Sequence, residues 1–98
     1  MSVDVNRAIR TAMQTGKVVI GSKRTIKACE KGEAKLVIVA SNCPEEIIER
    51  IKKTGVPIFY HVLPGIELGA ACGKPFSIAA MAVIDEGDSN ILGVLESG

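Results

Sequence analysis

Two unbroken apolar runs of strand length, Leu36-Val37-Ile38-Val39-Ala40 and Ile78-Ala79-Ala80-Met81-Ala82-Val83-Ile84, restrict what this chain can become more than any other feature. A strand with one wetted face alternates apolar and polar side chains, whereas a strand without polar interruption needs cover on both faces. The segments between the runs supply that cover. Val5, Ala8, Ile9, Ala12 and Met13 recur at helical spacing and predict a first helix over residues 3–14, ended by Gly16 in a left-handed conformation. Lys17-Val18-Val19-Ile20 reads as a short β-branched strand cut off by Gly21. Ser22 can then cap a helix that turns Ile26 and Cys29 inward and ends near Gly32.

Ser41-Asn42-Cys43-Pro44-Glu45-Glu46 reads as the approach to a third helix, with Pro44 in its first turn and two acids at the positive end of its dipole. Ile47, Ile48 and Ile51 form its buried stripe, and Gly55 closes it. Residues 56–60 read as a strand whose Pro57 belongs at its start or on an edge. A fourth helix is expected from about Pro64 to Gly73. The acidic turn Asp85-Glu86-Gly87-Asp88 then separates the second apolar run from a short terminal apolar piece, Ile91 to Leu95. Helices alternating with strands predict an α/β chain with helices on both faces of a four-stranded sheet. With 98 residues, 47% of them apolar, there is room for one core, so residues 1–98 are expected to form a single domain.

No run approaches the ~20 apolar residues that cross a bilayer, and Met1-Ser2-Val3-Asp4-Val5 lacks the basic and apolar stretches of a secretory leader, so a soluble cytoplasmic protein is expected. Cys29, Cys43 and Cys72 are odd in number and widely spaced, which suits reduced thiols better than disulfides. A zinc set from these and His61 would lack the paired spacing that structural sites use, so neither metal nor cofactor is expected.

Several constellations have both a chemical and a plain reading. Gly16-Lys17-Val18-Val19-Ile20-Gly21-Ser22-Lys23 has the outline of a phosphate-binding loop, but an apolar strand fills the interval where free amides are needed, and Ser precedes Lys. Cys43 before a helix start, with His61 as base, is the material of a cysteine hydrolase. No second histidine, catalytic motif or oxyanion element accompanies them, so Cys43 reads as packed or capping, His61 as solvated at a strand end, and no residue as catalytic. Gly65, Gly69 and Gly73 recur every four residues. This stripe allows either tight helix-on-sheet packing or a thin wall beside a ligand.

Net charge is only +1, yet residues 1–35 carry eight basic against three acidic residues, and the remainder four basic against eight acidic. One end therefore reads as built to meet phosphate. Lys23, Lys27 and Lys31 share one face of the second helix, beside Arg24 and just after Gly21, whose bare backbone would let a phosphate chain approach.

Gly21-Ser22-Lys23-Arg24-Thr25-Ile26-Lys27, then Ala34 through Pro44, then Leu68-Gly69 with Gly73-Lys74 resemble, in order, the kink-turn-binding superfamily of ribosomal and small-ribonucleoprotein proteins. Asn42-Cys43-Pro44, Gly73-Lys74-Pro75-Phe76 and Glu86-Gly87-Asp88-Ser89 with Ile91-Leu92 point within it to the archaeal and eukaryotic large-subunit ribosomal protein L thirty-e family. The resemblance covers nearly the whole chain. It implies a three-layer α/β/α sandwich with a mixed four-stranded sheet, and a structural constituent of the large ribosomal subunit that is monomeric when free. It further implies binding of a kink-turn or similar internal loop of ribosomal RNA, with neighbouring ribosomal proteins as further partners.

The RNA-binding residues so implied are Gly21, Lys23 and Lys27 at the start of the second helix, Ser41 and Asn42 before the third, and Gly73, Lys74, Phe76 and Ile78 after the fourth. Asn42 would read a base edge, Phe76 would stack on a base and the lysines would hold phosphates. Lys23-Arg24 replace the Asn-Glu of the small-ribonucleoprotein branch, which argues against that role. Ser77 stands where some members carry Arg, which implies one contact fewer. The rival reading is a small interaction or regulatory domain, or a cysteine-dependent enzyme, on the same fold.

Overall fold

The structure, a computed structural model, describes residues 4–97. The chain runs α1 (Val5–Thr15), β1 (Lys17–Ile20), α2 (Ser22–Glu30), β2 (Leu36–Val39), α3 (Glu45–Lys52), β3 (Ile58–Tyr60), α4 (Gly65–Ala71) and β4 (Ala80–Asp85). A 3-10 turn at Ile91–Gly93 and a final turn of helix, α5 (Val94–Ser97), complete it. The strand order is β1-β4-β2-β3. β4 pairs antiparallel with β1 and with β2, and β3 pairs parallel with β2, so the sheet is mixed.

Alternation along the two central strands divides the interior into two cores. Leu36, Ile38 and Ala40 with Met81 and Val83 face α1, α4 and the terminal turns, where Ile9, Ala12, Leu68, Ile91 and Val94 meet them. Val37 and Val39 with Ala80 and Ala82 face α2 and α3, where Ile26, Cys29, Ile48 and Ile51 meet them. The three layers expected from the unbroken runs are therefore present. Leu36, Val37, Ile38, Val39 and Ile51 are wholly buried. Each such side chain stabilises the fold by about 1.5 to 3 kcal/mol relative to leaving it in water. No helix among the described residues is long and apolar enough to cross a membrane.

Several boundaries differ from expectation. The predicted start of the first helix at Val3 lies outside the described residues, and Asp4 Oδ1 caps the helix by accepting the Arg7 amide at 3.2 Å. Gly16 is extended, with φ −109°, and not left-handed. It is required for closeness instead, because a Cβ there would lie 2.1 Å from the Asp85 carbonyl oxygen. Gly21, not Ser22, is the N-cap of α2, and Ser22 is already helical. β4 begins at Ala80, two residues later than the apolar run: the Ile78 amide donates to Gly65 at the start of α4, and the Ala79 carbonyl accepts from the Ala40 amide just past β2.

Candidate nucleic-acid interface

β1, β2 and β3 all deliver their C-terminal ends to the edge of the sheet where β4 begins, since Ile20 pairs with Met81 and Val39 with both Ala80 and Tyr60. The loops that follow are tied to one another by backbone hydrogen bonds. Gly21 N donates to Ala80 O at 2.9 Å, Ala40 N to Ala79 O at 2.9 Å, Ser41 N to Leu63 O at 2.8 Å and Ile78 N to Gly65 O at 2.9 Å. One side-chain bond joins the set, from Gly65 N to Asn42 Oδ1 at 2.9 Å. The three separated segments implied by the resemblance thus converge, together with a fourth, residues 61–65, that the sequence did not single out.

The glycine stripe explains how the 73–78 segment reaches this end. A Cβ on Gly69 would sit 1.8 Å from the Phe76 carbonyl oxygen, and one on Gly65 would sit 2.8 Å from Ser77 Oγ. The stripe is therefore packing space, occupied by a loop of the protein and not by the sheet. Gly73 turns the chain back with φ +78°, and Lys74 N returns to Gly69 O at 2.9 Å.

The nine expected site residues contribute differently. Lys23, Lys27, Ser41, Asn42, Gly73 and Phe76 are exposed, with Phe76 49% accessible, while Gly21 and Lys74 are half-buried. Ile78 is 2% accessible and lies in the α1–α4 core, so its side chain holds the loop from within, and its amide is committed to Gly65. Gly21 likewise has no free amide, contrary to expectation, because β4 receives it. The open donors at this helix start are those of the first turn of α2, which has no side-chain cap. Asn42 is a bridge as well as an exposed group: Oδ1 accepts from Gly65, which leaves its NH2 as two donors for a ligand.

Charge is sorted less simply than the sequence implied. Lys17 pairs in register with Asp85, and Lys35 Nζ lies 3.1 Å from Glu86 Oε2, so two of the eight early cations sit at the opposite end of the sheet. Lys23, Arg24, Lys27 and Lys31 line both flanks of α2. On one flank Arg50 of α3 joins Lys23, Lys27 and one acid, Glu30, around a groove of about 380 Å³, an arrangement that sequence spacing had no means to reveal. Glu45 and Glu46 occupy the first turn of α3, while its basic residues Arg50 and Lys52 stand in its last turn.

The thiols and the histidine are not arranged for catalysis. All three cysteines are free and buried. Burial pushes the Cys43 thiol up, helped by the Glu45 charge, and pushes the Cys72 thiol up to about 11, so they are protonated at neutral pH. His61 is not solvated as expected but 8% accessible, with Nε2 2.9 Å from Asn6 Oδ1 and Nδ1 accepting the Leu63 amide at 3.3 Å. Both ring nitrogens are occupied, so neither serves Cys43 as a base. Among the described residues no group of His, Cys, Asp and Glu could hold a metal ion.

Residues 3–93 match the Ribosomal protein L7Ae/L30e/S12e/Gadd45 family. The large ribosomal subunit protein eL30 of Methanocaldococcus jannaschii is 50% identical over 99 residues, which cover 97% of this chain and 90% of that one. Its counterpart in Archaeoglobus fulgidus is 53% identical over 83 residues, covering 85% of this chain and 96% of that one. A Bacillus halodurans protein of unknown function superposes with a TM-score of 0.78 over 99% of this chain and 100% of its own, at 21% identity, a likeness of fold alone.

Proposed function

The chain belongs to the Ribosomal protein L7Ae/L30e/S12e/Gadd45 family, and from that premise we propose that it is a structural constituent of the large ribosomal subunit that binds a kink-turn of ribosomal RNA. Relatives at this identity are ribosomal proteins, and the chain is not an enzyme. The observation that carries the RNA reading is the hydrogen-bonded convergence of the 21, 41–42, 63–65 and 76–80 segments at one end of the sheet, flanked by unpaired lysines.

A kinked internal loop presents closely spaced phosphates, exposed base edges and bases swung out of the stack. Lys23, Lys27 and Lys74, with the uncapped first turn of α2, meet the phosphates. The open backbone of Gly21 and Gly73 and the small Ser41 let the RNA come close. The NH2 of Asn42 donates to an acceptor on a base edge, and the exposed ring of Phe76 offers a face on which one base stacks. Ile78 serves from behind, as the core anchor of that loop. In this reading the free protein is a cytoplasmic monomer, with neighbouring ribosomal proteins as further partners.

A gel-shift series with a kink-turn RNA and a control whose G·A pairs are disrupted tests the proposal. The kinked RNA is expected to bind more tightly at every salt concentration. Equal affinity for the two, collapsing in parallel from ~50 to 200 mM salt, would reduce the interface to charge attraction and overturn the proposal.

A further inference from the structure

Besides the three buried thiols, His61 is a buried titratable group that the RNA reading leaves unused, and its ring is bonded to Leu63 of the 61–65 segment. The Leu63 amide is a donor, so Nδ1 accepts; the ring proton then sits on Nε2 and is donated to Asn6 Oδ1. His61 is itself fastened to β2, its amide donating to Val39 O at 2.9 Å, and its ring stands edge-on to Phe59 with centroids 5.8 Å apart. From this fixed ring the network continues outward. Leu63 N is held by the ring while Leu63 O receives Ser41 N, and two residues on Gly65 N is held by Asn42 Oδ1 while Gly65 O receives Ile78 N.

We infer that His61 is a positioning residue for the interface: its neutral ring, braced by Asn6 of α1, sets the 61–65 turn on which Ser41, Asn42 and Ile78 are aligned. A proton on Nδ1 would turn that acceptor into a donor facing the Leu63 amide, and the turn would have to move. The inference rests on the RNA-binding reading for its functional consequence, and on geometry alone for its structural one.

The charged groups around the ring do not oppose this. The ring's partners Asn6 and Leu63 border a cavity of about 540 Å³ that also meets Asp4 at the N-cap of α1, Arg7 and Arg10 from α1 and Glu67 from α4, two cations and two anions. Tyr60 precedes the ring on β3. Burial alone lowers the affinity of the imidazole for a proton below the ordinary value of 6.5, so the ring is neutral at physiological pH. Because the folded value is depressed, the unfolded chain takes up a proton first. The stability that His61 contributes is complete above about 6.5 and is lost as pH falls through that value toward the folded one.

The test follows binding of the kink-turn RNA and of its G·A-disrupted control from pH 7.5 to 5.5 at constant salt, for the full chain and for His61→Gln and His61→Ala. Gln can accept from Leu63 N without ever gaining a charge. As the ring takes up its proton, followed by its own NMR titration, the native protein is expected to lose roughly threefold or more of its preference for the kinked RNA, His61→Gln to keep a flat profile near the native preference at pH 7.5, and His61→Ala to start low and stay low. A profile in His61→Gln as steep as the native one, or native preference in His61→Ala, overturns the inference. Amide NMR of the free native protein gives a reading that does not depend on RNA. Ser41, Leu63 and Gly65 resonances should titrate with the His61 ring, and if they stay still while the ring titrates the inference fails even where RNA recognition holds. If the resonances follow but no RNA preference exists at any pH, the positioning role stands and the RNA reading is the one that falls.

Discussion

The two ends of the sheet are built from the same kinds of parts and use them in opposite ways. At the end where β4 finishes, polar groups are consumed internally: Lys35 meets Glu86, Asp85 Oδ1 takes the Gly87 amide, and Thr15 Oγ1 takes the Asp88 amide. At the end where β4 begins, backbone pairs with backbone, and the side chains of Lys23 and Lys27 have no acidic partner among the described residues. Each end also has a glycine pressed against a carbonyl, Gly16 against Asp85 and Gly69 against Phe76. Charge at one end closes a turn, while at the other Lys23 and Lys27 are left exposed. Net charge over the whole chain hides this difference.

The two glycines offer the strongest way to break the comparison. Gly69→Ala and Gly16→Ala each push a methyl group into a main-chain oxygen, and each is expected to destabilise the fold by about 3 kcal/mol in chemical denaturation. Only Gly69→Ala should also abolish preference for the kinked RNA, measured at a temperature where both variants remain folded. Parallel loss of RNA preference in both would mean that the ends are not independent.

Asn42→Ala sharpens it further. Losing the bond to Gly65 should lower stability by about 1 kcal/mol. Losing the NH2 should lower affinity for the cognate kink-turn by about 1 to 3 kcal/mol, with much less effect on the G·A-disrupted control. Equal weakening toward both RNAs would leave Asn42 as a structural bridge only. Lys27→Ala is smaller in effect and different in kind: the slope of log affinity against log salt should fall by about one unit, for kinked and control RNA alike. An unaltered slope would make Lys27 an ordinary solvated residue. The smallest effect is expected at the far end, where Lys35→Ala should leave both the melting temperature and RNA affinity within measurement error, because its ion pair is exposed. A clear drop in RNA affinity would show that the far end also meets the ligand.

How much of this was legible in sequence depended on the distance over which each signal acts. The runs 36–40 and 78–84 and the stripe of α3 record burial directly in residue order, so the layers and the central place of β2 could be read. The Lys23–Lys27 face was also local, being one helix repeat. The bond from Asn42 to Gly65, by contrast, spans 23 positions, and nothing in either residue names the other. His61 looked solvated because its cover comes from Asn6, 55 positions away, on a helix whose exposed side would otherwise be unremarkable. Lys17 and Lys35 were counted with the basic face because a tally along the chain cannot tell which end of a strand a residue occupies. Gly16 was assigned a left-handed turn for the same reason, since its actual constraint is a carbonyl from the far end of the chain.

The strand order has a consequence for how such a chain acquires its shape as it is synthesised. β4, the last strand to emerge, lies between β1 and β2, and these two have no pairing partner in common except it. Until residues 80–85 are available, only β2 and β3 can pair, and β1 has no strand partner among the described residues. Ile20 must wait for Met81. The entropy of closing that long loop falls on the step in which β4 docks between β1 and β2. The loop end is assembled in the same moment, because Gly21, Ala40 and Gly65 all depend for their bonds on residues 78–80.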